Sequence, residues 1–376
     1  MTPTRAPAWR SVAASCVAAL AVVLAGCSLP QRPIEPVGMG PTEARAAIVR
    51  VLPATTSDRA GWATDVHAAL ATLGLPSTPE NLCAVLAVAE QESGFRGDPA
   101  VPGLGAIASK EIDRRADEAG VPKLAVRAAL ALTSPDGRSY AERIASAKTE
   151  RQLSEAFEDF IGMVPFGKTL LANRNPGRTG GPMQVSIAFA EGQAKQRPYP
   201  YSVQASVRHE VFTRRGGLYF GTAHLLAYQT SYDRMLYRFA DFNAGRYASR
   251  NAAFQSALGV ATGLTLSLDG DLLPRTGGSA RGETERAAYL LAGRIGLSDA
   301  AIRADLEHED EFAFETTSLY ERVFTYAERL DKRPLPRAVL PRIDLHSPKI
   351  TRQLTTDWFA NRVDERHRRC LARISA

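Results

Sequence analysis

The sequence predicts a mainly α-helical protein with one small β element. Apolar residues recur at helical spacing in segment after segment. Helix-starting and helix-ending residues bracket those segments. Only one stretch has the two-residue turn between apolar runs that marks a hairpin. At 376 residues, 45% hydrophobic and 23% charged, the chain holds enough apolar surface for one large or two ordinary domains, which excludes disorder for its bulk.

Residues 1–26 read as a lipoprotein signal peptide. Arg5 and Arg10 precede an acid-free apolar run from Val12 to Ala25, too short to span a bilayer. The run closes on Leu24-Ala25-Gly26-Cys27, which resembles the bacterial lipobox, so Cys27 is the expected lipid anchor. Ser28 after it resembles the pattern that sends lipoproteins to the outer membrane, so the expected location is the periplasmic face of that membrane. Residues 27–41 follow as a tether, with Pro30, Pro33, Pro36, Pro41, Gly38 and Gly40 and no helical period. Loss of the leader's two arginines lowers the formal charge from +6, leaving a mildly basic chain. No zinc-finger, helix-turn-helix or stacked-aromatic pattern accompanies that charge, so no nucleic-acid partner is expected.

Of the four cysteines, Cys16 leaves with the leader and Cys27 takes the lipid. Cys83 and Cys370 remain as a candidate disulfide in an oxidising compartment. The alternative is two separate buried thiols, since Cys83 lies within an apolar helical pattern.

Asp58 to Gly74 carries apolar residues at Trp62, Val66, Ala69, Leu70 and Leu73 and stops at a glycine, as an amphipathic helix does. Thr78-Pro79-Glu80 combines an N-cap, a first-turn proline and an acid near the positive helix end, starting a helix that runs to about Ser93. Residues 109–120, 122–132, 150–173 and 217–228 read as further helices. Leu264–Leu268 and Asp271–Leu273 flank Asp269-Gly270, a favoured hairpin turn. Residues 283–296, 298–330 and 348–373 return to helical patterning, interrupted by the proline-rich 333–341. The expected organisation is a domain over 42–262 with a helical insertion at about 98–178, and a hairpin plus helical region over 263–376 packed on it.

Three short segments carry the chemistry: Glu92-Ser93-Gly94-Phe95, Gly180-Gly181-Pro182-Met183-Gln184-Val185, and Asp241-Phe242-Asn243-Ala244-Gly245. In that order, with the helical Gly217–Leu226 before the third, they resemble the Glu-Ser-x-Phe, Gly-Leu-Met-Gln and Tyr-Asn-Ala-Gly motifs of the lytic transglycosylase and goose-type lysozyme superfamily. The resemblance covers about residues 78–258. It implies a lysozyme-like helical fold with a small hairpin and an inserted helical subdomain. It also implies Glu92 as the catalytic acid and base, and Ser93, Gly181, Met183, Gln184, Phe242 and Asn243 at the glycan. Phe242 stands where the family has tyrosine, and Pro182 where it has leucine. The 92 positions between Glu92 and Gln184 exceed the usual connection, hence the insertion.

The residues support part of this without the resemblance. Glu92 lies nearer than Glu90 to the helix face of Leu82, Val85, Leu86 and Ala89, so it points to the apolar side, while Glu90 reads as a solvated charge. A carboxyl there loses solvation and meets the negative helix end, and both raise its pKa. Such an acid stays protonated near neutrality and can donate to a glycosidic oxygen. Gly180 and Gly181 permit close backbone approach, and Asn243 offers a donor and an acceptor to a sugar amide.

The resemblance implies cleavage of the MurNAc–GlcNAc bond of peptidoglycan with 1,6-anhydroMurNAc formation. Asp241, if it served as a second carboxylate, would favour a hydrolytic muramidase instead, although it also reads as a capping acid. A non-catalytic peptidoglycan-binding lipoprotein is the third reading. His67, His209, His224, His308, His346 and His367 have no metal-ligand spacing, and no phosphate loop occurs, so neither metal nor cofactor is expected.

Overall fold

In the computed structural model the described residues run from Gly38 to Ser375, apart from Pro198, residues 275–280 and residues 346–353. The expected signal peptide, Cys27 and most of the tether lie outside them, as does the start of the helix expected over 348–373. The described chain is mainly helical, with two sheets of two short strands each.

Helices α1 (Pro41–Val51), α2 (Arg59–Leu73) and α3 (Pro79–Ser93) open the fold. The start of α3 is the expected one: Thr78 Oγ1 accepts the Asn81 amide at 3.2 Å, and Pro79 occupies the first turn. Residues 82–89 of α3 are all buried, so this helix is apolar on every side and must be surrounded.

The insertion follows as α4 (Leu104–Glu118), α5 (Lys123–Leu130), α6 (Tyr140–Ser146), α7 (Glu150–Gly162) and α8 (Gly167–Leu171), then a 3₁₀ turn over Ala172–Arg174. Capping boxes start α6 (Ser139 with Glu142) and α7 (Thr149 with Gln152). The single helix expected over 150–173 is broken, because Pro165 ends it and Phe166 turns through a left-handed φ of 60°. A small core of Leu104, Ala147 and Leu153 lies within this subdomain, and Tyr140, Ala156 and Ile161 are buried besides.

Strands β1 (Thr179–Gly180) and β2 (Val185–Ser186) pair antiparallel around the second motif. Helices α9 (Ile187–Gln196), α10 (Val207–Val211), α11 (Arg214–Leu226), α12 (Met235–Ala244) and α13 (Ala248–Thr262) succeed them. Next come α14 (Glu283–Ile295), α15 (Asp299–Leu306), a 3₁₀ turn (Phe312–Thr316) and α16 (Ser318–Asp331). Strands β3 (Asp344–Leu345) and β4 (Leu354–Thr355) pair antiparallel ahead of α17 (Thr356–Ile374).

One expectation needs correction. No hairpin forms around Asp269-Gly270; its polar groups bond to α13 instead. Gln255 Nε2 donates to Asp269 Oδ1 at 2.8 Å and to the Asp271 carbonyl at 3.1 Å, and Gln255 Oε1 accepts the Gly270 amide at 2.9 Å. Asn251 Nδ2 adds a bond to the Gly270 carbonyl at 3.1 Å. Two buried amide side chains thus replace the cross-strand ladder. The residues after 262 contribute to two cores. The second core gathers α13 to α16, from Ala253 to Ala327, whereas Phe359, Ala360, Val363 and Ile374 of α17 belong to the first core around α3.

Helix α17 packs on α3, α12 and α1. A disulfide joins Cys83 to Cys370 across 287 positions, with Cα atoms 5.5 Å apart. Beside it the carboxylate of Glu90, expected to be solvated, meets Arg366 at 3.5 Å and Arg369 at 3.3 Å. His367 Nε2 approaches the Glu80 carbonyl at 3.1 Å, and Arg50 donates to the Ile374 carbonyl at 2.8 Å. A cross-link over so long a loop restricts the unfolded chain strongly. Replacing both cysteines by alanine is expected to lower stability by about 2–4 kcal/mol in equilibrium urea unfolding, and reductant is expected to affect only the parent chain.

Candidate functional site

Glu92 occupies the last turn of α3, one position before the buried Ser93. Ser93 Oγ donates to the Ala89 carbonyl at 2.8 Å and accepts the Arg96 amide at 3.2 Å, so it fixes the helix end and the turn beyond it. Gly94 (φ 57°) and Phe95 (φ 61°) then reverse the chain in left-handed conformations. The Phe95 ring meets the edge of Trp62 with centroids 5.5 Å apart. Ser93 is thus consumed in holding Glu92's backbone rather than free for a ligand.

The Glu92 side chain is partly open to solvent, but the apolar surroundings of α3 remove most of its hydration. Burial raises its pKa to about 7, and the negative end of α3 acts in the same direction. Among the described residues no group hydrogen-bonds or ion-pairs with this carboxyl. Glu92 is therefore a half-protonated, reachable acid at neutral pH, the state an acid–base catalyst needs.

The second motif forms the β1–β2 turn and seats it on α11. Gly181 (φ 71°) faces Gly217 so closely that a Cβ on Gly217 would fall 2.9 Å from Gly181 Cα. Met183, expected at a sugar surface, is fully buried instead against Gly221, one helical turn further along α11. Gln184 adopts φ 49°, and its Nε2 donates to the Gly181 carbonyl at 3.0 Å. Thr179 Oγ1 donates to Gln184 Oε1 at 3.4 Å. Close packing of hairpin on helix, rather than approach to a sugar, accounts for Gly181 and Met183.

The third motif ends α12. Asp241 is fully buried and accepts four hydrogen bonds, from Tyr232 Oη (2.7 Å), Tyr228 Oη (3.1 Å) and the amides of Tyr247 (3.0 Å) and Ser249 (2.7 Å). It caps the first turn of α13. Desolvation pushes its pKa up, while these donors stabilise the charged form and oppose that rise. With its lone pairs so occupied, Asp241 is a poor base for water. Phe242 is nearly buried, with its ring 5.0 Å from that of His224. Asn243 is exposed, and its Oδ1 accepts from Thr356 Oγ1 of α17 at 2.9 Å.

Residues around the three motifs share one core: Ala89 and Phe95 flanking Glu92, Met183, Leu218 and Phe242 all belong to it. The structure also brings in residues that sequence reasoning left aside. His224 lies between the tilted rings of Phe189 (4.6 Å) and Phe242, and burial followed by the nearby Arg246 charge lowers its pKa to about 3, so it is neutral. Arg246, directly after the Asn-Ala-Gly triplet, donates to the carbonyls of Ala223 (2.6 Å) and His224 (3.3 Å) at the end of α11. An arginine next to a helix-ending glycine was the available signal for that contact. Among the described residues no group of three or more His, Cys, Asp or Glu side chains is arranged to hold a metal ion.

These features define a mainly α-helical protein with a desolvated glutamate at the end of its central helix. Residues 55–373 match the family described as a protein of unknown function, DUF1615, and the chain belongs to that family. It is 54% identical over 352 residues to the uncharacterized protein YaiW of Escherichia coli strain K12, covering 93% of this chain and 95% of the relative. No solved structure matches the chain.

Two outcomes follow from this geometry. Because the pKa of Glu92 is raised from 4.5 to about 7 on folding, the stability it contributes is complete below pH 4.5 and is lost as pH rises to about 7. Urea unfolding at pH 5 and pH 8 should therefore show Glu92→Gln gaining on the parent chain at the higher pH, by roughly 3 kcal/mol at most. Gly217→Ala, ordinarily favourable within a helix, is expected here to cost about 1–3 kcal/mol in the same assay, because the new methyl meets backbone.

Proposed function

We propose that the protein is a murein lytic transglycosylase with a lysozyme-like catalytic domain, anchored by lipid on Cys27 to the periplasmic face of the outer membrane. The observation that carries this reading is Glu92: a desolvated carboxyl with a pKa near 7, at the end of a helix whose core also takes in the second and third motifs. Binding to glycan strands alone does not require such a group.

In the proposed reaction the protonated Glu92 gives its proton to the glycosidic oxygen between MurNAc C1 and GlcNAc, and the C1–O bond breaks as positive charge develops at C1. The resulting Glu92 carboxylate then takes the proton of the MurNAc C6 hydroxyl while O6 bonds to C1. The products are a GlcNAc hydroxyl and a 1,6-anhydroMurNAc end, and no water is consumed. One carboxyl thus serves both steps. The fourfold-bonded Asp241 supports this route over a hydrolytic muramidase, which needs a second carboxylate free to act on water.

A specific observation favours the non-catalytic alternative, a peptidoglycan-binding lipoprotein: Met183 is buried, and Gln184 and Asn243 bond to the chain's own groups. Mass spectrometry of soluble products from murein sacculi separates the readings. The mature chain should release anhydromuropeptides, and Glu92→Gln should lower the rate by about 10²–10⁴-fold. Reducing-end products would make it a hydrolase. Sacculus binding without products from either chain would make it a scaffold.

A further inference from the structure

The insertion displays an apolar surface that the described residues leave uncovered. Seven of the twelve large hydrophobic side chains exposed among them fall between Val121 and Leu171, so the exposure is concentrated rather than scattered. Phe166 and Leu124 are the most open, at 80% and 79%. Helix α5 buries no residue, and its Leu124 and Ala128 are exposed one turn apart, with the exposed Val121 just ahead of the helix. A helix of eight residues that fully buries none of its side chains is marginal in water and calls for an apolar partner on its exposed side. The corner between α7 and α8 adds Met163, Val164 and Phe166. Tyr140 connects the two segments: its amide donates to the Leu132 carbonyl at 3.2 Å, and its hydroxyl to Met163 Sδ at 3.7 Å.

The apolar stretches themselves carry cations and no acid, although Lys123 meets Asp117 of α4 at 3.7 Å. Residues 122–132 contain Lys123 and Arg127, and residues 162–178 contain Lys168, Arg174 and Arg178; neither stretch has an acid. Protruding aliphatic and aromatic side chains edged by lysine and arginine are what an anionic bilayer surface accepts. The apolar groups enter the acyl boundary while the cations meet the phosphates. We infer that the α5 and α7–α8 surface of the insertion rests on an anionic lipid surface, as a second membrane contact besides the lipid on Cys27. This rests on the proposed anchoring at one point only. Ten residues lie between Cys27 and Gly38, so an anchored chain would hold the start of the folded body within about 40 Å of the bilayer, at high effective concentration. The consequence would be a fixed orientation of the body on the membrane, which a tether by itself does not supply.

Vesicle flotation of the unlipidated chain from Ser28 onward tests this without any acyl group. Vesicles of phosphatidylethanolamine with phosphatidylglycerol should carry the chain upward, vesicles of phosphatidylcholine should carry it much less, and added salt should weaken the binding. Phe166→Asp and Leu124→Asp, both at exposed positions, should each reduce bound protein by roughly tenfold with an unchanged circular dichroism spectrum. Absence of flotation, or equal flotation by the aspartate variants, would overturn the inference. So would a parent chain that dimerises in light scattering while the variants stay monomeric, since the surface would then be an interface between copies. The mass of the mature N-terminus reads the Cys27 anchor separately, and sacculus digestion reads the glycan activity, so failure of either is distinct from failure of this contact.

Discussion

The first core is arranged around a helix whose middle two turns have no solvent face. From Leu82 to Ala89 each side chain of α3 is buried, so other helices must cover it all round, and α17, α11 and α2 do so. The Cys83–Cys370 bond and the Glu90 pairs with Arg366 and Arg369 tie α3 to a helix that arrives from the far end of the chain. That coverage is what desolvates Glu92. The same burial that stabilises the helix shifts the acid at its end, so structure and candidate chemistry draw on one source.

Asp241 and Glu92 show how little separates a structural carboxyl from a reactive one. Burial pushes both upward. Asp241 meets four donors that stabilise its charge and fix it as a cap, whereas Glu92 meets none among the described residues. A buried cation, Arg250, links α13 to the loop after α15. Its guanidinium donates to the carbonyls of Glu309 and Glu311 and to Asn251 Oδ1, and stacks 4.2 Å from the Tyr247 ring centroid. The loop after α15 is thereby held to the start of α13, next to the Asp241 cap.

Local signals were the legible ones. Thr78-Pro79-Glu80 marks the start of α3 because a cap and a first-turn proline act within four residues. The apolar face of α3 separates Glu92 from Glu90 by angle alone. What escaped sequence reasoning depends on partners distant in the chain. Asp269-Gly270 has the composition of a hairpin turn, but Gln255 and Asn251 supply bonds that outcompete strand pairing. Glu90 is exposed by helical angle, yet α17 brings two arginines to it. Met183 and Gly181 owe their identity to Gly221 and Gly217, a match of shapes between two segments that neither segment reveals by itself.

The central claim is that Glu92 is an unpaired, desolvated acid poised near neutrality. Titration of its side-chain carboxyl by carbon-13 NMR in glutamate-labelled protein, assigned by loss of the signal in Glu92→Gln, addresses it directly. An inflection near pH 7 is the expected result. An inflection at the ordinary glutamate value, near 4.5, would show a solvated surface carboxylate and contradict the claim.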